Sequence, residues 1–275
     1  MKALLLIALG IIPNFGYCQA VSTLRPTEIF NVICQYKLTY KLDSTSSIEK
    51  TDFFILFLGK HTSYFEEEIA LKYDSLLNAN EGLEFNQSNA HAFSEKLKKL
   101  AFPVFTYSVH KYPLLNQVVF NDKIGKVHYQ YAEPKNVFTW HITQEKTKIN
   151  GLTCQKALTS FAGRIWVAWF TREISISDGP YKFYGLPGLI LKVSDSKDYY
   201  RFEIMNIKQL SIPLPMPVSI RATSSTTKQD FVKGKATYAL GATDRVAAMG
   251  NIITDAQKQA YQERLKKQNN PLELR

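Results

Sequence analysis

The stretch GRIWVAWFTREISISDGPYKFYGLPGLILKV, residues 163–193, decides how this chain is read. Residues 165–171 form a strand-like run carrying Trp166, Trp169 and Phe170. Residues 175–180 are rich in turn formers. An aromatic segment follows, then Gly185-Leu186-Pro187-Gly188 and a second apolar run, 189–193. Proline pre-sets φ at the second position of a turn, and glycine accepts positive φ at the third. Leu186, standing before proline, is pushed towards an extended conformation. The stretch therefore predicts two strands, a long turn-rich connection, and a stiff corner with exposed or half-exposed leucines around it.

Outward from this centre, strand patterns dominate. In residues 32–41, Val32, Cys34, Tyr36, Leu38 and Tyr40 fall on one face and Gln35, Lys37, Thr39 and Lys41 on the other. A period of two with one wet face predicts an antiparallel sheet. Residues 53–58 are a continuous apolar run, short enough for a strand covered on both faces. Similar runs predict strands at 104–109, 115–120, 126–131, 137–143, 152–161 and 199–207, with a hairpin connection at 121–125. Residues 63–77 place Phe65, Ile69, Tyr73 and Leu76 at helical spacing, and Glu66, Glu67 and Glu68 read as a solvated first turn. Further helices are predicted at 88–100, 226–233 and 255–268, the last with Ala256, Ala260, Tyr261 and Leu265 facing the body. Pro213, Pro215 and Pro217 mark 211–217 as an extended surface segment rather than a central strand. The fold expected is mainly β (α+β): a large antiparallel sheet, open as a half-barrel, that wraps a few helices against its concave side. That order of elements resembles the periplasmic lipoprotein carriers, an analogy of fold alone.

The 275 residues, 45% hydrophobic and 13% aromatic, suffice for one large core. Residues 1–20 read as a secretory signal: Lys2, an apolar run at 3–12, and Cys18-Gln19-Ala20 as a small-x-small cleavage site. Residues 21–275 then form a single domain, exported to the periplasm or held at the outer membrane. Cys18 also permits a lipoprotein, although Tyr17 directly before it is a poor fit. No later segment is apolar enough to span a membrane. The formal net charge of +10, or +9 without Lys2, favours anionic lipids, acidic glycans or acidic partners if it is clustered, and only solubility if it is dispersed. An exported chain is not expected to meet nucleic acid. Cys34 and Cys154 remain after cleavage. An oxidising compartment permits a disulfide between them, and two buried thiols are the other reading.

Motifs for chemistry are sparse. No Gly-x-Ser-x-Gly elbow, phosphate loop or dinucleotide loop occurs. The five histidines form no His-Glu-x-x-His, though His128 and His141 lie in successive predicted strands and could face each other. No cofactor or metal is called for. Arg164, Glu173 and Asp178 would have to converge on a pocket for a hydrolase.

The six residues Gly185-Leu186-Pro187-Gly188-Leu189-Ile190 resemble the motif that names the GLPGLI family of Bacteroidetes-type bacteria. The surroundings agree at Phe161-Ala162-Gly163-Arg164, Ala168-Trp169-Phe170-Thr171 and Gly179-Pro180-Tyr181-Lys182-Phe183. The resemblance is specific over residues 129–203. It implies an exported protein of no established activity.

The expectation is a non-enzymatic exported binding protein. Trp166, Trp169, Tyr181, Phe183, Leu186, Pro187 and Leu189 would line a groove for a lipid, lipoprotein or peptide. The opposing reading of the same residues is a sheet core. A protein-interaction module at an outer-membrane transport or peptide-export system is the alternative, and an unrecognised hydrolase the third.

Overall fold

The computed structural model describes residues 29–79, 87–134, 138–215 and 223–274. The expected signal at 1–20 lies outside them. Among the described residues there are twelve strands: β1 (Ile29–Tyr40), β2 (Lys50–Gly59), β3 (Ser63–Glu67), β4 (Ser108–Tyr112), β5 (Gln117–Ile124), β6 (Val127–Pro134), β7 (His141–Ile149), β8 (Leu152–Phe161), β9 (Arg164–Thr171), β10 (Leu189–Asp195), β11 (Tyr200–Pro215) and β12 (Thr223–Ser225). Helices α1 (Glu68–Asn78) and α2 (Gln87–Lys98) fall between β3 and β4. Helices α3 (Lys228–Leu240), α4 (Ala242–Ala248) and α5 (Asp255–Lys266) follow β12.

All strands join one sheet, in the order β12-β6-β5-β4-β3-β2-β1-β11-β10-β9-β8-β7. Every pairing is antiparallel except β12 with β6. The chain itself shows that this sheet curls. Pro134 ends β6 and His141 begins β7, so the link reaches at most ~25 Å at ~3.3–3.6 Å per residue. A flat sheet would put those two strands ten spacings of ~4.8 Å apart.

The alternation in β1 sets the two faces. Cys34, Tyr36, Leu38 and Tyr40 are buried in the main core. A register shift between Phe30 and Val32, against both neighbours of β1, reverses the parity. Phe30 consequently joins Phe57, Tyr64 and Leu71 of α1 in a second cluster on the other face. This is why residues 53–58 read as doubly covered: Phe54, Leu56 and Leu58 enter the main core, Phe57 the second cluster.

Several expectations are corrected. Residues 63–77 are not one helix. Ser63–Glu67 is a fully buried strand, because β2 and β4 both need a partner there, and the helix starts only at Glu68. The β5–β6 hairpin turns at Gly125-Lys126, with Gly125 at φ 63°, rather than across 121–125. Pro213 and Pro215 lie in the exposed end of β11, which still pairs with β1; Pro217 falls outside the described residues. In α5, Tyr261 and Leu265 are half-buried while Ala256 and Ala260 face solvent. His128 and His141 sit in β6 and β7, which are not neighbours in the sheet. Cys34 and Cys154 are free buried thiols, not a disulfide. Strands β11, β10 and β9 stand between them, and a disulfide tolerates a Cα separation of only ~4.4–6.8 Å.

Candidate functional site

Inside the curl sits the connection between β9 and β10. It is built from tight local turns. Ile176 N donates to Ile174 O at 2.8 Å, Asp178 N to Ile176 O at 2.9 Å, and Gly188 N to Leu186 O at 2.8 Å. These are three-residue turns, so the Pro187 corner is tighter than the four-residue turn expected. Phe183 N returns to Pro180 O at 3.1 Å around Tyr181, whose φ is 53°. A bulky residue there is strained and must be held by its surroundings. At Gly188 (φ 148°) a Cβ would lie 1.9 Å from Thr171 O, so only glycine fits.

This connection is an internal plug rather than a surface corner. Trp166, Tyr181, Phe183, Leu186 and Leu189 are 0–3% exposed. Trp169 is half-buried, and only Pro187 is exposed. The expected exposed leucines are therefore core. What fills the concave face is the chain's own loop, with just Phe231 of α3 entering from a helix. Trp166 and Phe183 meet edge-on at 4.7 Å, and Phe183 also packs on Phe138 at 5.4 Å. Tyr36 Oη donates to Ile190 O at 2.6 Å and Trp140 Nε1 to Tyr184 O at 2.8 Å.

Buried charge fastens the plug. Lys111, 1% exposed, pairs with Asp178 and donates to Gly179 O at 2.5 Å and Phe183 O at 3.3 Å. Lys182, 2% exposed, pairs with Glu133 and, at 2.7 Å, with Glu273, over the rings of Phe120 and Tyr131. Arg164 pairs with Asp195 at 3.0 Å. Glu173 instead accepts from Thr153 N at 2.7 Å on the exposed side. Arg164, Glu173 and Asp178 thus belong to three separate networks and do not converge.

Two features escaped the sequence reading. Glu67, 1% exposed, accepts from Phe105 N at 2.9 Å and Val104 N at 3.3 Å. Burial pushes its carboxyl up to about 7, against those hydrogen bonds and with help from Asp52. The second is the C-terminal segment, residues 269–274, which returns to the sheet. Leu272 is buried, and Glu273 bonds Tyr181 Oη, Lys182 and Lys228. Burial alone would raise the Glu273 carboxyl; the two lysines and Tyr181 outweigh it and hold it below the usual range. Nothing in the polar string Asn269-Asn270-Pro271 announces this docking.

Between β12 and that segment, α3, α4 and α5 form an arm. Phe231 of α3 is buried, and no described residue of α4 or α5 is fully buried, Tyr261 and Leu265 being half-buried. Lys235 pairs with Asp122, and Lys228 with Glu133 and Glu273, anchoring its base. Leu240 (72%) at the end of α3, and Met249 (78%) and Ile252 (92%) after α4, are exposed. Residues 228–267 hold eight lysines and arginines against four acidic residues.

A family model described as a protein of unknown function (Porph_ging) matches residues 162–192, the span of β9, the plug and the start of β10. No curated protein matches the chain. Among solved structures, PNGF-II in a P21 crystal form is similar over 76% of this chain and 34% of its own, at 14% identity and a TM-score of 0.53. Its C2 form gives 75% and 33%, at 16% identity and 0.51. This chain spans about a third of PNGF-II, and the likeness is one of fold. An outer membrane lipoprotein-sorting protein domain from Vibrio parahaemolyticus covers 66% of this chain and 86% of itself, at 8% identity and a TM-score of 0.24. Among the described residues no helix is long and apolar enough to cross a membrane.

Proposed function

We propose that the protein is an exported, non-enzymatic binding module that docks on an anionic lipid surface of the bacterial envelope through its α3–α5 arm. The observation that carries this reading is the exposure of Leu240, Met249 and Ile252 on a net-basic arm. Apolar side chains beside lysines suit a headgroup boundary: the first enter the acyl edge, the second meet the phosphates. An apolar partner was expected from the sequence, but the surface that meets it moves from the Leu-Pro-Gly corner to the arm. The absence of catalysis is supported by Arg164, Glu173 and Asp178, each committed to a different partner. Export is supported by the apolar stretch at residues 3–12 after Lys2.

Vesicle co-sedimentation tests the docking. The protein should pellet with phosphatidylethanolamine–phosphatidylglycerol vesicles and not with phosphatidylcholine alone, and added salt should weaken the binding. The double variant Met249→Asp, Ile252→Asp should bind at least ~10-fold more weakly with an unchanged circular dichroism spectrum, since each buried apolar side chain contributes about 1.5–3 kcal/mol. Failure of the wild-type chain to pellet would overturn the lipid reading and turn the arm into a surface for an envelope protein.

A further inference from the structure

We propose that the groove holding residues 269–274 is a recognition site for an extended peptide, occupied here by the chain's own C-terminal segment. The contacts are those of a reader and a ligand. Arg164, 7% exposed, spreads its guanidinium over the segment: Nε donates to Leu272 O at 3.1 Å, and Nη2 to Pro271 O at 2.6 Å and Asn270 Oδ1 at 2.5 Å. Tyr200 Oη donates to Asn270 O at 2.5 Å, and the Asn270 amide donates to Lys41 O at 2.6 Å. Backbone bonds close both ends, Asn270 N to Leu42 O at 3.0 Å and Leu274 N to Ala162 O at 2.9 Å. Main-chain carbonyls are read by side chains, which gives affinity; Asn270, Leu272 and Glu273 enter positions of their own, which gives selectivity.

The groove's walls are supplied by other elements of the fold. Its walls come from β9 (Arg164), β11 (Tyr200), the plug (Tyr181, Lys182) and the base of α3 (Lys228). With the segment gone, Arg164 still has Asp195, and Lys182 and Lys228 still share Glu133. The segment's own attachment is local, because α4 and α5 before it have no fully buried residue. The arm works as a tether, and a tethered ligand sees an effective concentration in the millimolar range. A free peptide therefore competes only once the tether is cut. The pattern selected is Asn-Pro-Leu-Glu in extended form. The site is separate from the lipid-facing residues of the arm.

The test uses the full chain with a protease site placed at exposed Lys267-Gln268, cleaved after purification. A fluorescent peptide of residues 268–275 is then added and its anisotropy followed. The expected result is saturable binding to the cleaved protein and none to the intact one. Peptides carrying Asn270→Ala, Leu272→Ser or Glu273→Lys should each bind at least tenfold more weakly. Changing the peptide leaves the protein untouched, so folding does not confound the comparison. The proposal is overturned if the cleaved, still folded protein ignores the peptide, if all peptides bind alike, or if cleavage unfolds the protein, which would make the segment plain core.

Discussion

Leu186 and Leu189 flank a corner that the sequence puts at the surface and the fold puts inside. Proline and glycine do make a stiff corner, but the corner points inward, and both leucines are 0–1% exposed. Leu186→Asp would bury an unpaired carboxylate and should abolish the cooperative unfolding transition rather than merely weaken binding. Loss of binding with an intact transition would sink the plug. Glu67 carries a pH prediction. Its carboxyl titrates near 7 when folded and at 4.5 ordinarily, so the folded state binds more protons across that window. Stability from this group is present below pH 4.5 and fades as pH rises to about 7. The size is on the order of 3 kcal/mol, at about 1.36 kcal/mol per pKa unit. His110 opposes it, since burial lowers its pKa to about 4 and acid costs stability there. Urea midpoints of wild type and Glu67→Gln at pH 5 and pH 8 separate the two: the variant should lose less between those values. Equal losses would mean Glu67 does not titrate in this range.

At the scale of elements, strands that alternate were legible and elements made by partners were not. The strand expected at 152–161 coincides with β8, and in the structure it is closed on both sides by turns, Asn150-Gly151 and Ala162-Gly163, with φ near 50° then 80°. Ser63–Glu67 was read as helix because Phe65 and Ile69 happen to sit four apart, and only the pairing with β2 and β4 overrides that spacing. In the arm, α5 follows the expected 255–268, whereas α3 runs on to Leu240 beyond the expected 226–233 and α4 has no counterpart in the sequence pattern. Thr254 and Gln257 form a reciprocal cap on α5, with Gln257 N to Thr254 Oγ1 at 3.2 Å and Thr254 N to Gln257 Oε1 at 2.9 Å. Thr254→Ala should destabilise α5 by ~1 kcal/mol. Because α5 has no fully buried residue, hydrogen exchange should speed up in residues 255–266 while the global unfolding midpoint stays put. A shift of the whole transition would show the arm to be integral to the fold.

For the whole molecule, a curled sheet that encloses its own connection has a chemical consequence. Cys34 is 0% exposed and burial pushes its thiol up to about 12; Cys154 is likewise 0% exposed and pushed up to about 11. Both should resist alkylation in the native protein and react once it is denatured, with no mass change on reduction. Prompt native labelling would mean that the interior opens. By itself the sequence determined the strand periods, the antiparallel class and the identity of the stretch at the centre, because those depend on neighbours a few residues away. The tertiary structure alone decided that the stretch is a plug, that Glu66 and Glu67 lie inside, that Lys111 and Lys182 are buried among carboxylates, and that residues 269–274 return to the sheet. The contacts that decide these join residues from 38 to 108 positions apart, and no local propensity records a contact at that distance.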